Sequence, residues 1–329
     1  MSSNTHGRGV VTLTANPSID RTVVLDAPLA RGEVQRAVTV IEQAAGKGMN
    51  VARVLATSGV DAIAVLPFTD DAYLARLAEQ PANLTVAPVA GRRHRSRTNT
   101  AITEPSGTTT KVNEPGPTLS ADDLDAAASA LVEAADGAAW VALSGALPPG
   151  APDDWYASLV ASLAASGCKV AIDTSDAALD AVLAALPGTA FDLVKPNSDE
   201  LAQLTGGDAA AFEAAAERGD VTEIVAAARR LHERGIANVL VTLGGAGGVL
   251  VNALGAWFST APRVTVRSTV GAGDSSVAGF ILADVTGRTP AECLATALTY
   301  GSAAASLPGT TLPTPDDLPD GGLTVVAVH

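Results

Sequence analysis

The chain has 329 residues, 47 % of them hydrophobic but only 3 % aromatic, with a formal net charge of −14. That apolar fraction suffices for a large core, and the length admits one large α/β domain or two smaller ones. So acidic a surface repels nucleic acid and anionic membranes, so neither is expected as a partner, and an anionic substrate needs a local basic pocket.

In chain order, Val10–Thr14 predicts a strand, 48–58 a helix and 62–66 a strand again. Two segments break this rhythm: 18–43 is strand-like and polar, and 86–112 alternates with many threonines around an arginine cluster. Neither reads as a crossover helix. They are expected to pair as a small separate sheet that acts as a lid over the ligand crevice. After Leu119 the alternation is regular. Leu124, Ala128, Leu131 and Ala135 mark one helix face, 140–143 a buried strand, and Trp155, Leu159 and Leu163 the next helix. Strands at 170–173, 193–195 and 239–243 follow, separated by helices at 177–186 and 222–234, with 207–221 a surface insertion. The run 264–270 predicts a strand leading into a helix marked by Val277, Phe280, Ile281 and Val285. Residues 308–329 read as a loop and tail. This βαβα order predicts an α/β fold, a mostly parallel sheet covered by helices on both faces.

Cys168 and Cys293 have no CxxC spacing, and His6, His94, His232 and His329 fit no ligand pattern, so zinc and redox chemistry are not expected. No apolar run nears the ~18 residues a membrane span needs. The first nine residues carry no signal-peptide core, and a cytoplasmic location is expected.

The chemistry-bearing motifs fall at predicted strand ends. Gly271-Ala272-Gly273-Asp274 is a glycine-rich turn opening a helix, where free backbone N–H groups attract phosphate oxygens. Asp274 there is placed to take a proton from a hydroxyl attacking that phosphate; the plainer reading is an N-capping Asp in a tight turn. Asp20, just past the first strand in Asn16-Pro-Ser-Ile-Asp20, suits sugar hydroxyls or else an Asx turn. In Gly46-Lys47-Gly48-Met49-Asn50 two glycines allow close backbone approach beside two polar groups, or simply begin a helix. GxxxxGK[ST] is absent, which excludes a P-loop, and GxGxxG is missing after the first strand, which argues against a dinucleotide oxidoreductase. Four arginines fall between Arg92 and Arg97. Arg92 and Arg93 read as a solvated charge run, whereas Arg97 and Lys111 sit beside strand-like alternation that can aim them into a crevice for phosphate. Lys195, Asn197 and the Thr242, Gly244, Gly245 and Gly247 stretch follow strands and suit a nucleotide. Asn197 and Glu200 can order water around magnesium, though a capping box is the stronger reading.

Taken together, these residues resemble the pfkB (ribokinase-like) carbohydrate kinases, in the 1-phosphofructokinase and tagatose-6-phosphate kinase branch. The likeness runs from about Val11 to Thr311 through six ordered motifs: Asn-Pro-x-Ile-Asp, Gly-Lys-Gly-x-Asn-Val-Ala-Arg, Arg-Thr-Asn, Thr-Lys-x-Asn-Glu-Pro-Gly-Pro, Lys-Pro-Asn-x-x-Glu-Leu and Gly-Ala-Gly-Asp-Ser. The resemblance implies one ribokinase-like domain over 1–329, a three-layer sandwich with a β lid. It implies Asp274 as catalytic base and Gly271, Ala272 and Gly273 as the anion hole. Asp20, Gly46, Lys47 and Asn50 would hold the sugar, with Arg97, Lys111 and Arg36 near its phosphate. Lys195, Asn197, Thr242, Gly244, Gly245 and Gly247 would line the ATP side, with Mg2+ on the nucleotide phosphates. The implied reaction is phosphorylation of fructose 1-phosphate at its 6-hydroxyl. Tagatose 6-phosphate and fructose 6-phosphate are the rival acceptors, and a non-catalytic sugar-phosphate sensor is the rival of another class. An exposed lid edge would invite a homodimer. Two departures stand out: Ala45 where the family often has Gly, and Ala146 where it often has Ser.

Overall fold

A computed structural model describes residues 9–77 and 80–328; the polar residues 1–8, with His6, and His329 lie outside them. The first half runs β1 (Val10–Thr14), β2 (Ser18–Val24), β3 (Thr39–Ala45), α1 (Lys47–Thr57), β4 (Ala62–Leu66), α2 (Asp71–Leu74), β5 (Leu84–Pro88), β6 (Arg97–Thr103), β7 (Thr109–Asn113), α3 (Ala121–Ala134) and β8 (Trp140–Ser144). The second runs α4 (Trp155–Leu163), β9 (Lys169–Asp173), α5 (Asp176–Ala184), β10 (Phe191–Val194), α6 (Ser198–Thr205), α7 (Ala209–Glu217), α8 (Thr222–Glu233), β11 (Ile236–Thr242), β12 (Gly248–Asn252), β13 (Gly255–Ser259), α9 (Ala272–Val285), α10 (Pro290–Ser306) and β14 (Val326–Val328).

Ten strands form one sheet in the order β14-β13-β12-β11-β10-β9-β8-β1-β4-β5. From β11 to β5 every pairing is parallel, and β11 through β14 add an antiparallel edge. The parallel strands read as continuous apolar runs because both faces are covered. Val11, Leu13, Val141, Leu143 and Ile172 pack with α3, α4, α5 and α8 on one face. Val10, Trp140, Ala142, Ala171 and Leu193, offset by one residue, pack with α1, α9 and α10 on the other. That period of two produces the three layers. On the second face Ala142 and Ala171 are small enough to let α1 and α9 lie close to the strands. The result is an α/β three-layer sandwich.

A second sheet, ordered β3-β2-β6-β7, comes from the two irregular segments. Its β2 and β6 run parallel while both outer pairs are antiparallel. The first strand of the 86–112 segment does not belong to it: β5 extends the main sheet beside β4, since Leu84 and Val86 pack with Ala62, Ala64 and Leu66.

Two further sequence expectations change. Residues 264–270 form no strand; they run as a loop into α9, with the Arg267 and Ser268 N–H groups donating to the Ala305 carbonyl. The sheet edge beside β13 is taken by β14, so the tail is not all loop: its last described residues pair with Ala256, Trp257 and Phe258. The 207–221 insertion lies mostly at the surface as expected and contains α7, capped by Asp208 and anchored by buried Phe212 and Ala216.

Candidate active site

The parallel strands all end at one edge, where ligands bind in open α/β sheets. β1 ends at Thr14, β8 at Ser144, β9 at Asp173, and Lys195 follows β10 directly. These ends, the first turns of α1 and α9, and the face of the small sheet enclose a cavity of about 420 Å³.

Local sequence explains why the walls come so close. A Cβ at Gly46, whose φ is +127°, would lie 2.3 Å from Thr14 Cγ2, and one at Gly48 would lie 2.4 Å from the Leu13 carbonyl oxygen. Only residues without a side chain let α1 start directly against the end of β1. Ala45, by contrast, ends β3 as ordinary strand, and its carbonyl accepts the Tyr73 hydroxyl at 3.1 Å, so the departure from glycine brings no strain there. Asn16 leaves β1 toward the small sheet and donates to the Pro115 carbonyl at 3.0 Å. The two motifs containing Asn16 and Pro115 thereby brace each other.

On the α9 side, Gly271 is a left-handed N-cap and no side chain caps the first-turn amides. Asp274 follows one turn in, 6 % exposed, and its Oδ2 accepts from Asn50 Nδ2 at 2.8 Å. Burial pushes its pKa up to about 6; Asp173 adds to the rise, while Lys47, Asn50 and Lys195 oppose it. Asp173 is the group that sequence reasoning passed over. It is 3 % exposed, with Lys47 Nζ at 3.3 Å and Lys195 Nζ at 3.4 Å. Burial alone would raise its pKa, but Lys195 and Lys47 outweigh that and hold it below the usual carboxylate range. The Asp173 carboxylate in turn raises the pKa of Lys47, against burial.

Across the cavity, Asp20 accepts from Ser18 Oγ at 2.9 Å and Asn99 Nδ2 at 3.1 Å through one oxygen. Burial raises its pKa against those bonds and the nearby Arg97 and Arg53. Arg97 reaches the Asn16 and Glu114 carbonyls, and Lys111 stands exposed on β7 beside it. Thr14 Oγ1, Asn16 Oδ1, Asn99 Oδ1 and Ser144 Oγ line the same cavity, buried and without a partner among the described residues. A wall of unpaired polar atoms suits a polyhydroxy ligand, which can satisfy them.

The cavity thus gathers Asp20, Gly46, Lys47, Asn50, Arg97, Lys111, Lys195, Asn197, Glu200, Gly271, Gly273 and Asp274. Six residues singled out from sequence do not line it. Ala272 lies in the first turn of α9, where its carbonyl accepts Ser276 Oγ. Thr242 sits at the end of β11, its N–H bonded to the Pro196 carbonyl. Gly244 and Gly245 open instead on a neighbouring cavity of about 510 Å³ with Leu243, Thr260 and Arg263. Gly247 is pressed against the Ser259 backbone. Arg36 is exposed on the loop between β2 and β3. Arg92, expected to be solvated, pairs instead with Asp122 and Asp123 at the start of α3.

Asn197 and Glu200 form a capping box: Asn197 Oδ1 accepts the Glu200 N–H at 2.8 Å, and Glu200 Oε2 accepts the Asn197 N–H at 2.9 Å. Among the described residues no group of three or more His, Cys, Asp or Glu is placed to hold a metal ion. No described helix is long and apolar enough to cross a membrane.

The profile of the pfkB family carbohydrate kinases matches residues 13–317. The chain belongs to the pfkB family of carbohydrate kinases. Among pfkB relatives, the 1-phosphofructokinase of Xanthomonas campestris is 38 % identical over 87 % of this chain and 88 % of its own length. That of Rhodobacter capsulatus is 36 % identical over 94 % of each. The crystal structure of Escherichia coli phosphofructokinase-2 in complex with substrates and products superposes with a TM-score of 0.82 at 28 % identity, covering 94 % of this chain and 96 % of that one. Ribokinase from Thermotoga maritima shares the fold, with a TM-score of 0.66 at 20 % identity. A pfkB kinase is a phosphotransferase, so the cavity belongs to a carbohydrate kinase.

Proposed function

We propose that the chain transfers the γ-phosphoryl group of ATP to the 6-hydroxyl of fructose 1-phosphate, giving fructose 1,6-bisphosphate. The observation that carries this reading is the arrangement of charge along one cavity. A buried carboxylate, Asp274, stands beside the uncapped amides of α9 at one side, and Arg97 and Lys111 stand on the small sheet at the other. One end suits phosphoryl transfer and the other an existing phosphate. The names of the Xanthomonas and Rhodobacter relatives support fructose 1-phosphate as the acceptor.

In this reading Asp20 and Asn99 hold sugar hydroxyls, and Arg97 and Lys111 the sugar phosphate. Asp274 takes the proton of the 6-hydroxyl as that oxygen attacks the γ-phosphorus in line. The Gly271–Gly273 amides, Lys47 and Lys195 meet the charge on the transferring oxygens; most of the acceleration is positioning and electrostatics. Asp173 keeps both lysines at the cavity wall. Thr242 and the Gly244–Gly247 turn border the nucleotide at the neighbouring cavity. The oxygen donors of Asn197 and Glu200 fit a hard cation, and they would touch the water shell of Mg2+ on the nucleotide. That ion supplies charge neutralisation at the phosphates. The small sheet, hinged at Asn16 and Ala45, would close over the sugar. Its outer strands leave Val40, Ile41 and Val112 more than half exposed, which supports a homodimer through this sheet, testable by sedimentation.

A second acceptor has one specific support: an E. coli phosphofructokinase-2 crystal structure with fructose-6-phosphate aligns with a TM-score of 0.81 at 27 % identity. Coupled ADP release with Mg-ATP and fructose 1-phosphate, fructose 6-phosphate, tagatose 6-phosphate or ribose decides between them. The expected result is a kcat/KM at least about tenfold higher for fructose 1-phosphate, a difference of about 1.4 kcal/mol in transition-state binding. Preference for a 6-phosphate would contradict the acceptor, and no turnover with any of the four would favour a sensor.

A further inference from the structure

One buried contact joins the two motifs at the centre of the cavity. Asn50 lies in the first turn of α1, three residues after Lys47, so both side chains share one helix face. It is 8 % exposed, and its Nδ2 donates to Oδ2 of Asp274 at 2.8 Å. Among the described residues this is the one side-chain hydrogen bond made to the Asp274 carboxylate. The family resemblance assigns Asn50 to the sugar; here one of its amide hydrogens already belongs to a carboxylate.

The geometry has a directional consequence. A carboxylate at the start of a helix can rotate, and either oxygen can then face the acceptor. With Oδ2 engaged by Asn50, the free oxygen is Oδ1. The position of Asn50 is itself fixed, because α1 is locked against β1 at Gly46 and Gly48. We propose that Asn50 is a positioning residue for Asp274: it fixes the carboxylate so that Oδ1 alone meets the acceptor hydroxyl, and it favours the ionised form that can accept a proton. The proposal rests on the reading of Asp274 as the base.

The electrostatic setting lets the effect be isolated. Lys47 from α1, Asp173 from the end of β9 and Lys195 from the segment after β10 are the charged groups that act on Asp274. None of them is altered by a change at Asn50. A hydrogen bond to the charged form lowers a carboxyl pKa, so its removal raises it. The base must be ionised to work, so the acid limb of the pH–rate profile moves up with it.

The test is the pH dependence of kcat/KM for the parent, Asn50→Leu and Asn50→Asp, with Mg-ATP and the best acceptor of the four-substrate panel, alongside Asp274→Asn. In Asn50→Leu the acid limb should rise by about one pH unit. On the plateau kcat should fall about tenfold, more than the sugar-phosphate KM rises. Asn50→Asp is nearly isosteric and guards against a folding defect in the leucine variant. It sets two carboxylates to share one proton, so its limb should rise further. If both variants keep the parental limb and only the sugar-phosphate KM rises, Asn50 is a sugar ligand and the proposal falls alone. If Asp274→Asn keeps turnover with the parental limb, the base assignment falls and the proposal goes with it.

Discussion

Replacing Asp173 with Asn removes the negative charge that two lysines share, with almost no change in volume. Its carboxylate oxygens lie 3.3 Å from Lys47 Nζ and 3.4 Å from Lys195 Nζ. At an effective dielectric constant of about 20, each such pair attracts by about 5 kcal/mol before desolvation is subtracted. The Lys47 side chain is 40 % exposed, so water screens much of its share, whereas Lys195 is 7 % exposed and carries the larger part. Removing one member of a buried pair costs about 3–5 kcal/mol. Asp274 remains as a partial counter-charge, so the loss should sit near the lower end, at about 3 kcal/mol. Urea unfolding at pH 7.5, with the m-value compared between parent and variant, measures it. Because the folded pKa of Asp173 lies below its usual value, its contribution is present above about pH 4 and fades as the pH falls further. The gap between parent and variant should therefore narrow in acid. A variant as stable as the parent at pH 7.5 would refute the claim that this buried carboxylate holds the two lysines.

Further outcomes follow from the same geometry. Arg97→Ala should raise the sugar-phosphate KM by about tenfold or more and leave the ATP KM nearly unchanged; initial-rate kinetics in both substrates decide, and an equal rise in both would contradict its placement. Gly48→Ala puts a Cβ 2.4 Å from the Leu13 carbonyl oxygen, where backbone cannot yield, and should lower stability by about 3 kcal/mol in urea titrations; an unchanged midpoint would mean that α1 can shift away from β1. The parent enzyme should lose kcat/KM as the pH drops through about 6, since Asp274 accepts a proton only when ionised. A profile flat down to pH 5 would place the base elsewhere.

Much of this architecture was legible because each central strand is covered on both faces and therefore reads as an unbroken apolar run. Part of the site was legible because strand ends of a parallel sheet share one edge. Lys195 follows β10 at that edge, Lys47 opens α1 against the end of β1, Asp20 and Arg97 reach the cavity from the small sheet, and Asp274 comes from the first turn of α9 after a loop. Asp173 escaped notice because a single acid after four strand residues looks like any strand end, and its meaning arises from lysines on other elements. Val264 and Val266 misled in the opposite way: their alternation matches a strand, but the run pairs with no strand, and the Arg267 and Ser268 N–H groups are taken by the Ala305 carbonyl at the end of α10. Three residues, 326–328, are too few for periodicity to announce a strand. Arg36, placed near the sugar phosphate by the resemblance alone, is exposed on the loop between β2 and β3 and does not line the cavity. Asn197 and Glu200 show that a spacing can serve two ends: the capping box is formed, and both residues still line the cavity.

The most direct test of the account is ADP release by Asp274→Asn with Mg-ATP and fructose 1-phosphate. The account predicts a fall in kcat of about 10²–10⁴-fold with thermal unfolding still cooperative, because a general base is lost while the anion hole and both lysines remain. Turnover within a few-fold of the parent would contradict it, and would mean that the buried carboxylate at the start of α9 is not the base.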